Sequence, residues 1–489
     1  MRFNNLFEIL EFYAKTSPDA PALKYEERIW SFSELIKEVR SRSEKLLQSG
    51  KTCLAVLSDG SAECVMNIFA ANHAKLQVVM LDDTLPEELL AQLLIYADAD
   101  TLWTSDEELA EILKPTLINE PAGIAAKPAD DSASNTDARL SASEKCPAST
   151  SAPITADRIL FFTSGTTSRS KAVVLTGKSL CSSAWNGSQM LPLSPEDTLL
   201  CTLPLAHVFG FVCGLLWGLS CGACVALGRG ARHYIDDHAF YRPTAVSLVP
   251  SLLGFLLKAK AFGPQLRNIL IGAGDCPPQL LDAVKAAGIA VSFGYGLTET
   301  SSGVAISTGK SPDPYAMDIC PDDTITIAAD GEVLIHAPTC IMQGYYKDPA
   351  STAEVLKDGI LCSGDLGFID ADGRLHITGR KKDMLVLADG NKIFLPEYEA
   401  ELARLLKTEE TATENEQAEF AVDLSAGRPV LIWTGRGTRE EIIKKIQPAM
   451  EMLPRGQQIT DIIFTEGPLP RTATGKLKRW EIRQKANLK

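Results

Sequence analysis

The stretch FFTSGTTSRSKAVV, Phe161 to Val174, sets seven hydroxyl-bearing and glycine residues between an apolar run and Lys171. Ile159–Thr163 and Ala172–Leu175 read as strands, so Ser164–Ser170 must cross a short gap with backbone N–H and hydroxyl donors exposed. A lysine beside such donors makes a phosphate-gripping loop; the plain alternative is a polar hairpin turn. Three sharper readings fail on spacing. A Walker loop needs glycine before the lysine and Ser/Thr after it, where this chain has Ser170 and Ala172. Ser168 and Lys171 match Ser-x-x-Lys, but no Ser-Asp-Asn or Lys-Thr-Gly completes an acyltransferase site. Gly-x-Gly begins at Gly228, Gly272, Gly294 and Gly435, never with the third glycine of a dinucleotide fingerprint.

The 489 residues exceed one core and suggest about three structural units. A net charge of -14 argues against nucleic-acid binding, which needs an extended basic surface, so an anionic substrate must be met by local cations. The 12 cysteines sit scattered in apolar stretches and read as buried free thiols; Cys221 and Cys224 have no second pair to make a zinc site. The polar N-terminus lacks a signal-peptide core, which points to the cytoplasm. Leu199–Gly228 is uncharged and long enough for a membrane span, with glycines at 210, 214, 218 and 222 on one helical face. Pro204 and His207 interrupt its start, which favours a buried helix leading into a strand at Cys224–Leu227; peripheral membrane contact stays compatible with it. The glycine face could admit another backbone or an elongated apolar ligand.

Ala22–Trp30 reads as a hairpin, and Ser31 with Glu34 as a capping box opening a helix that ends near Gly50. Strand and helix then alternate through Leu54–Leu57, Ala62–His73, Val78–Leu81, Pro86–Tyr96 and Thr101–Trp103, the pattern of a mainly parallel sheet. Residues 121–156 lack apolar periodicity and read as a flexible linker. The expected fold is α/β, a large N-terminal domain of mainly parallel sheets flanked by helices over 1–379. A small mobile α+β lid domain over 380–489 follows.

Three further segments carry chemistry. In FGYGLTETSS, Phe293–Ser302, Tyr295 offers a face for a base, Gly294 and Gly296 permit close approach, and Thr298 and Glu299 offer oxygens for Mg²⁺. Asp365 and Arg380 flank a hairpin turned at Asp372-Gly373, where an acid can accept both hydroxyls of a ribose. PRTATGKLKR places Lys476 on a turn before a cationic helix.

In order and spacing these motifs resemble those of AMP-forming acyl-CoA synthetases of the adenylate-forming superfamily, over most of the chain. The resemblance implies an active site between a large domain and its lid, with ATP, Mg²⁺ and coenzyme A as cofactors. It implies that a carboxylic acid is converted to acyl-AMP and pyrophosphate and then to a thioester. By it, Thr163, Ser164, Gly165, Thr166, Thr167, Ser168 and Lys171 would surround the β- and γ-phosphates, and Gly272, Ala273 and Gly274 would line the adenine edge. Tyr295, between Gly294 and Gly296, would stack on adenine; Thr298 and Glu299 would meet metal and α-phosphate. Asp365 and Arg380 would take the ribose, Lys476 would act at the α-phosphate, and Lys382 would be the hinge. The acyl site is expected near His207, Phe209, Gly210 and Gly303; the alternative for His207 is a satisfied core histidine.

The chain departs from the family pattern at Ser168–Ala172, where Gly-x-Pro-Lys-Gly is usual, and at Ser311–Asp323, which replaces a glycine-rich stretch. Glu409–Phe420 reads as a shortened lid segment. The glycine-lined helix and the GRKKDMLVLADG and PRTATGKLKR segments resemble those of fatty acyl-CoA synthetases, which makes a medium or long-chain fatty acid the first expectation and an aryl acid the second. An acyl-AMP ligase, a carrier-protein loading enzyme and a non-catalytic nucleotide binder are further alternatives; Glu299, Asp365, Arg380 and Lys476 argue against the last.

Overall fold

The computed structural model describes residues 1–117, 157–163, 171–274, 276–387, 392–406, 419–451, 453–471, 477 and 479–488. The 121–156 linker, Ser164–Ser168 of the phosphate loop and Lys476 lie outside them. The chain packs as two compact units, one of residues 1–163, 171–324 and 336–360, the other centred on 325–335 and 361–489.

In the first unit the expected alternation forms around a local start signal. The Ser31 hydroxyl accepts the Glu34 N–H while Glu34 accepts the Ser31 N–H, and helix Phe32–Ser49 ends at Gly50 with φ 69°. Such reciprocal capping stabilises a helix by about 1 kcal/mol. Strands Cys53–Ser58, Gln77–Asp82, Thr101–Trp103 and Ile159–Phe162 pair in parallel, and Ala172–Leu175 and Gly344–Tyr345 add antiparallel edges, giving six strands. Their inward residues, among them Ala55, Leu57, Val79 and Leu160, pack on Leu90 and Leu94 of helix Glu87–Tyr96.

A nine-stranded sheet forms the rest. Its parallel centre runs Pro21–Tyr25, Cys224–Leu227, Thr198–Cys201, Ala245–Leu248, Asn268–Ile271 and Ala290–Leu297; Arg28–Ser31 pairs antiparallel at one edge. Ser302–Ile306 and Asp318–Ile319 continue it antiparallel at the other. No helix among the described residues is long and apolar enough to cross a membrane. Leu199–Gly228 instead becomes strand Thr198–Cys201, a π-helix Gly210–Leu216, helix Trp217–Ser220 and strand Cys224–Leu227, almost wholly buried.

The glycine face is occupied by the protein itself. A Cβ at Gly210 would lie 2.3 Å from the Pro204 carbonyl oxygen, at Gly214 3.0 Å from Cys201 Sγ, and at Gly218 2.7 Å from Val225 Cγ2. At Gly222, φ 74°, it would meet the Tyr13 ring at 2.5 Å. Close approach of neighbouring elements, not an elongated ligand, is what these glycines serve. All cysteines of the described residues are free thiols. Among those residues no group of three His, Cys, Asp or Glu is placed to hold a metal ion.

In the second unit, Thr324–Ile327, Glu332–His336, Ile360–Ile369 and Leu375–Arg380 lie side by side. Ile360–Ile369 pairs with Glu332–His336 on one side and with Leu375–Arg380 on the other, so this compact unit includes residues on both sides of position 379. Strands Glu419–Ser425, Arg428–Thr434 and Asp461–Phe464 form a second sheet. Its two faces follow the period of two: Val422 and Leu431 pack on Leu402, Ile442 and Ile446, while Ala421 and Ile432 pack on Leu469, Ile482 and Ala486.

Candidate active site

The phosphate loop has its expected stem. Phe162 pairs with Ala172 across antiparallel strands, and the Thr163 N–H donates to the Lys171 carbonyl at 2.9 Å. The Lys171 N–H donates back to Thr163 Oγ1 at 3.3 Å. Lys171 is thereby fixed where the sheet ends. Its ammonium stands 4.5 Å from the centroid of the Tyr345 ring.

Tyr345 was not singled out in the sequence. It reaches the site because Gly344–Tyr345 adds to the sheet edge, with Tyr345 opposite Val173. Thr352 Oγ1 accepts its N–H at 2.9 Å, and its hydroxyl donates to Glu299 Oε1 at 2.7 Å. Burial and the Glu299 carboxylate hold the phenol above its ordinary range, which keeps it the donor. The one signal available was an aromatic pair after Gly344 and before the Asp348-Pro349 helix start.

The Phe293–Ser302 segment is less of a loop than expected. Strand Ala290–Leu297 continues through Gly294, Tyr295 and Gly296 and pairs with Ser302–Ile306 through an irregular register at Tyr295/Gly296. A Cβ at Gly296 would lie 1.7 Å from the Ser302 carbonyl oxygen, so this glycine closes a hairpin rather than admitting a ligand. Gly294 has no such contact under 3.4 Å. The turn itself is Thr298–Ser301, with φ 53° at Ser301 and 101° at Ser302. Such backbone is strained for residues with side chains and must be held from outside. Here Ser301 Oγ donates to the Cys340 carbonyl at 2.7 Å and the Met342 N–H to the Glu299 carbonyl at 2.8 Å. Thr298, Glu299 and half-buried Tyr295 are thus presented on a rigid turn.

Gly272, Ala273 and Gly274 follow strand Asn268–Ile271, and Ala273 takes a left-handed φ of 62°. A Cβ at Gly272 would stand 2.8 Å from the Phe209 ring, which brings together two of the expected site residues. Gly210 is buried, its Cβ direction blocked by the Pro204 carbonyl. His207 is no core histidine; its side chain is half exposed, with Nε2 3.6 Å from Asp82 Oδ2 at the end of strand Gln77–Asp82. Gly303 borders a small apolar cavity of about 20 Å³ lined also by Gly187, Leu191, Trp217 and Leu270, room for about one water.

In the second unit Asp365 and Arg380 sit opposite each other across the hairpin, Arg380 Nε 3.1 Å from Asp365 Oδ1. Asp365 is buried and Arg380 half exposed, so this is more than a surface ion pair. Lys381 bridges Asp330 and Glu332 at 2.7 and 2.8 Å, and the hydrogen bond it donates to Asp330 leads in raising its pKa. Lys382 follows, exposed, in the single turn Lys381–Asp383. The cations of the last helix are tied down: Arg479 binds Glu399 at 2.8 Å, Arg483 binds Asp423 at 2.7 Å, and Lys485 donates to the Pro468 carbonyl. Arg471 and Leu477, on either side of the expected lysine loop, bridge in antiparallel fashion.

With this geometry in place, the model of the AMP-binding enzyme family matches residues 10–346. The chain belongs to the AMP-binding enzyme family. This AMP-binding enzyme is 27% identical over 516 residues to an indoleacetate–CoA ligase of Aromatoleum aromaticum, covering 98% of both chains. It is 27% identical over 492 residues to a 2-succinylbenzoate–CoA ligase of Bacillus cereus, covering 96% of each. Its fold is that of the Bacillus subtilis o-succinylbenzoate coenzyme A synthetase solved with ATP and magnesium ion. That match has a TM-score of 0.74 at 24% identity and covers 97% of this chain and 99% of that one.

Proposed function

We propose that this AMP-binding enzyme is an acid–coenzyme A ligase that activates a small aromatic carboxylic acid as its acyl adenylate. The observation that carries the reading is the meeting of Lys171, Tyr345 and Glu299: a cation at the foot of a hydroxyl-rich loop beside a carboxylate on a rigid turn. This donor set suits a triphosphate with its metal. Glu299 and Thr298 would hold Mg²⁺, which when bound offsets phosphate charge.

In the proposed reaction the substrate carboxylate oxygen attacks the α-phosphorus of ATP and pyrophosphate leaves. The sulfur of coenzyme A then bonds to the acyl carbon and AMP leaves. Attack of one anion on another needs cations placed in advance, the role proposed for Lys171 at the outer phosphates and Lys476 at the α-phosphate. Tyr295 would stack on adenine, with Gly272–Gly274 at its edge, and Asp365 would accept the ribose hydroxyls with Arg380 holding it.

The aromatic choice rests on two supports. The relatives named above act on indoleacetate and 2-succinylbenzoate. The glycine face that suggested a fatty chain is filled by Pro204, Cys201, Val225 and Tyr13.

The test is pyrophosphate release with MgATP over aryl, arylacetic and fatty acids, with and without coenzyme A. The expected result is acid-dependent release strongest with an aryl or arylacetic acid and accelerated by coenzyme A. Higher kcat/KM for a fatty acid would refute the substrate class. Release indifferent to coenzyme A would point to another acceptor, such as an acyl carrier protein.

A further inference from the structure

We propose that Tyr345 is a positioning residue that couples the phosphate loop to the metal-binding acid. This rests on the nucleotide reading above. One side chain makes two contacts of different kinds: its hydroxyl fixes Glu299 Oε1 at 2.7 Å, and its ring lies 4.5 Å from the Lys171 ammonium. The ring is a poor anchor for ions in water but a useful one where they are partly desolvated. Tyr345 is 9% exposed, and its backbone is held by Val173 on one side and Thr352 on the other. Gly344 permits this placement, since at φ 142° a Cβ there would meet Thr352 at 2.9 Å. The phenol therefore cannot drift, and the carboxylate it holds is aimed before any ligand arrives. Lys171, the cation that would meet the phosphates, rests on the same ring, so the two charges of opposite sign share one support.

The hydroxyl and the ring can be separated by substitution. Tyr345→Phe keeps the ring beside Lys171 and frees Glu299; Tyr345→Leu removes both contacts. The measurement is the dissociation constant of a non-hydrolysable ATP analogue on the full chain, by calorimetry, with Mg²⁺ and in EDTA. A lost hydrogen bond to a carboxylate predicts that Tyr345→Phe binds the Mg²⁺ complex about 10-fold more weakly, with affinity in EDTA unchanged. Tyr345→Leu is expected to weaken both. In a Glu299→Gln background the Tyr345→Phe penalty should vanish, because the two act through one bond.

Equal losses with and without Mg²⁺ in Tyr345→Phe, or penalties that add in the double variant, would overturn the coupling and leave a packing role. Wild-type affinity in Tyr345→Phe would also overturn it. Failure of the wild-type chain to bind the analogue at all would instead overturn the nucleotide reading.

Discussion

Asp323 is 9% exposed, and Asn186 Nδ2 donates to its Oδ2 at 3.3 Å. Neither Asp323 Oδ1 nor Asn186 Oδ1 has a hydrogen-bond partner, although both are buried. Two acceptors side by side lack a donor, and a proton on Asp323 is the one available. Burial first, and then the neighbouring Asp322 charge, push the Asp323 carboxyl from 3.8 up to about 7. Asp322 is itself paired with Arg2 at 2.6 Å, and Cys320 and Cys340 face Asp323 as thiols whose own pKa values burial raises.

The folded chain thus keeps a proton that the unfolded chain releases near 3.8, so unfolding releases it and stability falls as pH climbs from about 4 to about 7. Three pH units at about 1.4 kcal/mol each give about 4 kcal/mol in all, of which about 3 kcal/mol falls between pH 5 and 8. Asp323→Asn replaces the proton with a permanent amide donor. It should match wild type only near pH 3, below the unfolded carboxyl's pKa, and exceed it increasingly as pH rises, in melting temperature and urea midpoint, with the full gap at pH 8. Asp322→Asn should shift the profile far less. Parallel pH profiles for wild type and Asp323→Asn, or a variant less stable at pH 8, would refute the reasoning.

Gly187→Ala lies inside helix Gly177–Met190 with nothing within 4 Å of the new Cβ, so stability should rise by about 1 kcal/mol, read as a higher melting temperature. Gly296→Ala drives a methyl into the Ser302 carbonyl; a loss of about 3 kcal/mol or more and of nucleotide binding is expected, and a normal melting curve would contradict the hairpin geometry. Lys476→Ala should lower adenylation by ~10²-fold or more while thioester formation from supplied acyl-AMP survives, measured as separate half-reactions.

Local signals in the sequence were strong where the physics is local. The Ser31/Glu34 box sets its helix in the structure, and the strands at 54–57, 78–81 and 101–103 sit within two residues of their expected positions, because each is a short apolar run between turn formers. Sheet order was not legible. Pro21–Tyr25 pairs with Cys224–Leu227 across some two hundred residues, and no local pattern encodes that. The same holds for Tyr345, whose role depends on lying opposite Val173. The π-helix at Gly210–Leu216 was read only as a buried helix, since hydrophobic spacing cannot separate one helical winding from another in an all-apolar segment. The glycine face shows the limit from the other side: spacing disclosed that something approaches closely, but not that it is the protein's own strand, carbonyl and tyrosine.

That face also bears on how the substrate range of this AMP-binding enzyme could be altered in the laboratory. Gly210, Gly214, Gly218 and Gly222 are spacers without free room, so enlarging them would separate the segment from its strands instead of reshaping a binding cavity. Attempts to lengthen the acyl site proposed near Gly303 should start at Leu191, Trp217 and Leu270, whose side chains border the cavity there and can be shortened. A library restricted to those walls would sample new acids while leaving the scaffold's joints untouched.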